Sequence, residues 1–286
     1  MSDFSDILLA VDFDRTLTAT DSSVPARNLE AIRFFMDNGG AFTVNTGRSV
    51  PMFRKYMDQI PVNAPLLLYN GSAAYDREKE AFSYCRLIDM DMRQTVRVCM
   101  ALFPDMVVEV QGEKAHYIFR EDPMWLEFSR QNQCPARVAT LEEDLGPFIK
   151  MCIYGGFHEP TVSHLFQATP AEMARCDEAE AILRQRYGER MEIFRSGARI
   201  IDIHTRGVSK ASSARALQAE LGRKYLVCVG DGENDVPMLL GADYAYCPAD
   251  GVIADRFENV CPCDEGAVAD VIYEKIPEIL GFDLDK

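Results

Sequence analysis

Residues 7 to 18 read ILLAVDFDRTLT: an apolar run, Ile7 to Val11, ends in two closely spaced acids, Asp12 and Asp14, and then Thr16. An unbroken apolar run closed by polar residues is the pattern of a strand buried on both faces, as in the middle of a parallel sheet. The strand is read over about Ile7 to Phe13; if it stops at Asp12, a turn after it brings Asp14 round to the same site. In an open parallel sheet the functional crevice lies beyond the carboxyl ends of the strands. A single Asp after a strand more often only caps a loop, so the weight of this pair depends on the rest of the chain.

Outward from this run, strands and helices alternate. A helix is expected from about Pro25 to Asn38, with Pro at its start, Gly39 at its stop and Leu29, Ile32, Phe35 and Met36 at helical spacing. A strand at Ala41 to Asn45, a short helix around Val50 to Met57 and the apolar strand Leu66 to Tyr69 follow. The alternation returns near the C-terminus, with helix Ser209 to Leu221, strand Tyr225 to Val229, helix Asp235 to Leu240, strand Asp243 to Tyr246 and a helix from about Glu265 to Lys275. Such alternation predicts an α/β fold whose core is a Rossmann-like, doubly wound parallel sheet.

Between about Ile88 and Thr205 the rhythm changes to helix-strand-strand. Helix Asp89 to Leu102 precedes strands Asp105 to Gln111 and Ala115 to Arg120, and helix Ala171 to Tyr187 precedes strands Met191 to Phe194 and Arg199 to His204. An apolar strand around Phe148 to Tyr154 lies between them. These units favour an antiparallel sheet with helices on one face. The expected layout is therefore a core of residues 1–87 and 206–286 and an inserted α+β domain of residues 88–205, attached at two points like a lid or cap.

The chain has 286 residues, 48% of them hydrophobic and 26% charged, which excludes disordered and collagen-like classes. Its 30 basic and 45 acidic side chains give a net charge of −15. That excess repels phosphate backbones and anionic lipid, so neither nucleic acid nor a membrane surface is an expected partner, and no protein partner is inferable. No apolar run approaches the ~20 residues needed to cross a bilayer. The start, MSDFSDILLAVDF, carries acids where a secretory signal has a basic flank, so the expected location is cytoplasmic. Nine scattered cysteines with no zinc-like spacing read as reduced thiols filling core positions.

Three further motifs bear on chemistry. GDGENDVPML, Gly230 to Leu240, follows an apolar strand and supplies Asp231, Asn234 and Asp235, a hard oxygen-rich set of the kind Mg²⁺ prefers. Asp235 can equally be an N-cap, and the two roles are compatible. NTGRS, Asn45 to Ser49, places a hydroxyl, a glycine and backbone N–H groups at a helix start, which suits phosphate; alone it is also an ordinary turn. Lys210, in RGVSKASSARAL, opens a helix. A lone lysine is usually solvated surface, yet two acid clusters need a cation before they can admit an anionic substrate.

These pieces in this order (D-x-D-x-T, T-G-R, G-V-S-K, G-D-x-x-N-D) resemble the haloacid dehalogenase superfamily of phosphotransferases. The insertion between the second and third resembles its Cof-type phosphatase branch, with the class IIB cap, as does Asn70-Gly71-Ser72 after the Leu66 strand. The resemblance covers most of the core and only the layout of the cap. It implies a phosphomonoesterase with Mg²⁺ as cofactor, acting on a small phosphorylated metabolite such as a sugar phosphate. Asp12 would be the nucleophile that becomes an aspartyl-phosphate, and Asp14 the general acid and then base. Thr46, Gly47, Lys210 and Asn234 would hold the phosphoryl group. Asp12, Asp14 through its main-chain carbonyl, Asp231 and Asp235 would serve the metal.

The sequence departs from the family pattern at Arg15, where Gly is common. Two consequences are open there: a different local turn, or a guanidinium that reaches the substrate phosphate. Ala211 also stands where Gly is frequent, a harmless change at a helix start. The alternatives are a phosphosugar mutase of the same superfamily and a non-catalytic phosphometabolite-binding protein. A receiver domain is far shorter, and a dinucleotide-binding dehydrogenase would need G-x-G-x-x-G after the first strand. Within the insertion His116, Arg120, His158 and His164 are candidate selectors, each read first as ordinary surface. His204 and Arg206, nearer to Lys210 in sequence, are better placed.

Overall fold

A computed structural model of the chain describes residues 3–156, 158–161 and 167–281; His164 lies outside them. The chain divides into two compact units, one of residues 1–47, 56–83 and 209–286, the other of residues 48–55 and 84–208. The second unit spans residues 84–208, where residues 88–205 were expected for the insertion, and takes in the short stretch Arg48–Lys55.

In the first unit five parallel strands form one sheet in the spatial order Glu258–Val260, Tyr244–Pro248, Tyr225–Val229, Ile7–Val11, Ala41–Val44. Every residue of Ile7–Val11 is buried, as its unbroken apolar run requires. The chain leaves this strand to one side for Ala41–Val44 and returns on the other as Tyr225–Val229, so the strand order reverses beside it, where such sheets bind ligands. Registration then decides what meets there. Val11 lies level with both Val229 and Val44, so the residues that follow each strand emerge at one height. Those are Asp12, Gly230-Asp231 and Asn45-Thr46. A smaller three-stranded sheet (Leu66–Leu68, Ala73–Asp76, Ala81–Cys85) adjoins through a parallel bridge between Asn45 and Leu67.

The second unit holds a six-stranded sheet in the order Met191–Gly197, Ile200–Thr205, Lys150–Tyr154, Val107–Gln111, His116–Ile118, Ala136–Val138. All its pairings are antiparallel but the last. Period-two alternation sorts its side chains. Val108, Val110, Met151, Ile153, Ile201 and Ile203 pack with Val96, Cys99, Cys176, Ala179 and Leu183 of helices Met92–Leu102 and Pro170–Tyr187. Their neighbours Glu109, Gln111, Lys150, Cys152, Asp202 and His204, on the opposite face, are buried and mostly polar.

The helix Pro123–Gln131 and the strands Ala73–Asp76, Ala81–Cys85 and Ala136–Val138 were not expected. All nine cysteines are free and most are buried. Among the described residues, no helix is long and apolar enough to cross a membrane.

Candidate active site

The first strand stops at Val11, Asp12 is still extended, and Phe13–Leu17 forms one helical turn broken at Asp14 and Arg15. A turn thus follows the strand as expected, while the Asp14 carboxylate stays outside the cluster that Asp12 joins. Asp12 is buried at the carboxyl end of this interior strand, while Asp14 is half-buried. Arg15 sits at φ 60°, ψ 14°, the left-handed conformation in which Gly is at ease. Another L-residue there costs about 1–2 kcal/mol. Arg15 therefore holds a backbone conformation that glycine adopts without strain, and its guanidinium Nε lies 3.9 Å from Asp231 Oδ2.

Asp12, Asp231 and Asp235 each bring a carboxylate oxygen to within 4.8 Å of the others, and all three residues are buried. Asp235 does not cap its helix through its side chain. Its Oδ2 instead accepts from the backbone N–H groups of Asp231, at 3.1 Å, and Gly232, at 3.0 Å, which fixes the Gly230–Asp235 turn. Asp231 Oδ1 accepts from Thr16 Oγ1 at 3.2 Å. Asn234 is half-buried beside Gly232 and stands outside this trio, as does the Asp14 carboxylate.

Lys210 is buried at the first position of helix Lys210–Glu220, which opens with a capping box between Ser209 and Ser212. Its Nζ pairs with Asp12 Oδ1 and, at 2.6 Å, with Asp235 Oδ1. The sequence reading missed what anchors it: buried Asn45 donates from Nδ2 to the Lys210 carbonyl at 2.8 Å. Asn45 adjoins Thr46 in the NTGRS motif, so its neighbour was the available signal. Thr46 is buried, donates from its N–H to Leu67 O at 2.9 Å, and accepts Asn70 N–H at 2.9 Å. Gly47 follows so close to Asn70 that an added Cβ would lie 2.9 Å from Asn70 Oδ1. Gly71, at φ 89°, brings the same turn against the Lys210 helix, with room for no Cβ: Ser209 O would be 2.4 Å from it.

Charge follows from this geometry. Burial and the facing Asp235 and Asp231 push the Asp12 carboxyl well above its usual range, against the pull of Lys210. Asp231 is pushed up to about 7 by burial and Asp235, with Lys210 and Arg15 opposing. Burial works against the Lys210 ammonium, but Asp12 and Asp235 outweigh it and hold its pKa above the ordinary lysine value. One buried ammonium thus faces three carboxylates. A set of clustered, buried carboxylate oxygens with negative charge to spare is a fitting donor set for a hard divalent cation.

The family described as haloacid dehalogenase-like hydrolase matches residues 9–252. The chain belongs to this family, in its Cof-type phosphatase branch. Among relatives of this haloacid dehalogenase-like hydrolase, the 5-amino-6-(5-phospho-D-ribitylamino)uracil phosphatase of Bacillus subtilis is 21% identical over 86% of this chain and 88% of its own. A haloacid dehalogenase-like hydrolase from Bacteroides thetaiotaomicron shares the fold at a TM-score of 0.74, with 19% identity over 93% of this chain and 97% of its own. A subclass IIB sugar phosphatase does so at 0.74, with 18% identity over 96% and 98%.

The candidates in the second unit fare differently. His116 is a correction, since it is buried rather than surface: Nδ1 meets Glu109 Oε1 at 2.5 Å and Nε2 meets Ser49 Oγ at 2.8 Å. Burial opposes the charge on Glu109, but His116 prevails and keeps that carboxyl below its usual range. Ser49 Oγ also accepts from Met52 N–H, and Met52 packs on the cluster around Trp125 and Phe128. Arg120 donates to the carbonyls of Pro104 and Met106, and Arg206 to that of Glu189. His158 is exposed beside Glu172. His204 is buried, which drives its pKa down to about 3 and keeps it neutral.

Proposed function

We propose that this hydrolase is a magnesium-dependent phosphomonoesterase that cleaves a small phosphorylated metabolite, a sugar phosphate foremost, through an aspartyl-phosphate on Asp12. The observation that carries the reading is the buried trio of Asp12, Asp231 and Asp235 closed by Lys210 at the strand ends. Asp12 attacks phosphorus in line with the departing oxygen, so an Asp12–phosphorus bond forms as the ester bond breaks. Asp14 gives its proton to the leaving alkoxide, then takes one from the water that releases phosphate and restores Asp12. Lys210, Thr46 and Gly47, with Asn234 adjoining, hold the phosphoryl oxygens. Asp12, Asp231 and the Asp14 main-chain carbonyl, with Asp235 beside them, would hold magnesium, which would supply the charge that offsets carboxylate–phosphate repulsion. A nucleophile must be ionised, and burial among acids disfavours that for Asp12, so Lys210 also keeps Asp12 ready to attack. The inserted domain acts as a cap that selects the substrate.

The test is release of inorganic phosphate from a panel of phosphorylated sugars, nucleotides and cofactors, with Mg²⁺ and after metal stripping in excess chelator. Full turnover in chelator rejects the metal requirement. The nearly isosteric Asp12→Asn should fold and release no phosphate; unchanged turnover removes Asp12 from the nucleophile's role. Transfer to a second sugar hydroxyl with no free phosphate would point to a mutase.

A further inference from the structure

Arg15 keeps a backbone conformation that glycine adopts without strain, at φ 60°. Its side chain is 37% exposed and points its Nε to 3.9 Å from Asp231 Oδ2, while Thr16 of the same turn donates to Asp231 Oδ1. The two oxygens of Asp231 are thereby engaged by adjacent residues of one turn, one by a neutral donor and one by a cation. The side chain in this left-handed turn thus brings its guanidinium to face an acid of the trio. Strain that a single Gly would relieve is retained where it delivers a positive charge.

We propose that Arg15 is a built-in counter-ion of Asp231 that lowers the affinity of the acid trio for a divalent cation. The inference rests on the reading of the trio as a metal site. A positive charge beside a ligand carboxylate both stabilises that carboxylate and repels an incoming cation. Even at water-like screening, a unit charge opposing a divalent one at roughly 5 Å changes affinity by about ten-fold. Lys210 cannot be adjusted in this way without disturbing Asp12, because it binds Asp12 and Asp235 together. Arg15 touches neither, so it tunes the cation while leaving the nucleophile's own partner in place. An enzyme so tuned would load its metal chiefly together with an anionic phosphate, whose charge offsets the repulsion.

The experiment is calorimetric titration of the metal-stripped full chain with Mg²⁺ and with Mn²⁺, without substrate, for the wild type and three variants. Arg15→Gln removes the charge and keeps a side chain in the strained turn, Arg15→Gly removes charge and strain together, and Arg15→Lys keeps a charge. Gly suits the observed conformation, so at least that variant should fold. The expected result is binding about ten-fold tighter for both Arg15→Gln and Arg15→Gly, with Arg15→Lys near the wild type. A second series with saturating inorganic phosphate should narrow the gap. Equal affinity for the wild type and both neutral variants overturns the role of Arg15 while leaving the metal site standing. Tightening in Arg15→Gly alone assigns the effect to the backbone and overturns it as well. No binding by any form, at any concentration up to millimolar, rejects the metal site itself and the proposal with it.

Discussion

Replacing Lys210 with Met isolates the electrostatics of the site, because Met keeps the volume of the stem and removes the charge. Lys210 is 2% exposed and its ammonium bridges Asp12 and Asp235. Deleting one partner of a buried ionic group leaves charge that water cannot reach, which typically costs about 3–5 kcal/mol. At roughly 2–4 °C per kcal/mol for a protein of this size, the melting temperature should fall by about 10 °C. The measurement is a circular dichroism melt in chelator at pH 8. Two companions expose the cause. Lys210→Met combined with Asp235→Asn should regain most of the loss, since one of the stranded charges goes. At pH 5 the single variant should lose less, because Asp12 and Asp231, whose pKa values are raised, can take up protons instead of repelling. A fall below about 2 °C at pH 8, or no recovery in the double variant, would refute the view that Lys210 holds the acids together.

The stripped wild type should itself become less stable as pH rises. Asp231 titrates near 7 when folded against an ordinary 3.8, so its contribution is full below about pH 4 and lost through pH 7, of order 4 kcal/mol at most. Melts at pH 5 and 8 in chelator check the sign, Mg²⁺ should flatten the difference, and a higher melting temperature at pH 8 would contradict it. Gly71→Ala should destabilise by roughly 1–3 kcal/mol, since its Cβ meets Ser209 O at 2.4 Å in a left-handed backbone, and activity should fall with the shifted Lys210 helix. Deleting Ile88 to Thr205 behind a Gly/Ser bridge should spare a small aryl phosphate more than a sugar phosphate in any folded product. It should also loosen Arg48–Lys55, where Ser49 loses His116 and Lys55 loses Asn132, read as new protease cleavage there.

Much of this was legible in the chain because the signals are local. The apolar run ending in Asp12, the strand before Asp231 and the helix start at Lys210 each announce themselves within ten residues, and parallel pairing brings them level. The helix Pro123–Gln131 had its signals too: Asp122 accepts from Trp125 N–H as N-cap, Pro123 follows it, and Trp125 and Phe128 share a face. It was passed over because its apolar stripe is short. The hairpin Ala73–Asp76 with Ala81–Cys85 hid behind a charged turn, DREKE, that reads as plain loop. What no local window holds is the chain of Ser49, His116 and Glu109, drawn from a motif and a strand pair far apart in sequence. The approach of Arg15 to Asp231 was equally hidden, since it is made by tertiary placement across the chain.

Arg48–Lys55 groups with the inserted domain, so the chain passes between the two units after residues 47, 55, 83 and 208. The inserted unit is thus spelled out in two separate stretches of the gene, and shuffling it among relatives as one contiguous cassette would leave part of it behind. A transplanted strand pair carrying its own Glu109 and His116 would meet whatever the recipient has at position 49, and a transplanted Trp125 whatever it has at 52. Crossovers that respect the fold must move both stretches together or fall between parents already alike at those two positions. Under the proposed substrate-selecting role of this unit, swapping specificity between members would be an exchange of a matched pair of segments, with the motif around Thr46 and Gly47 as one of its splice points.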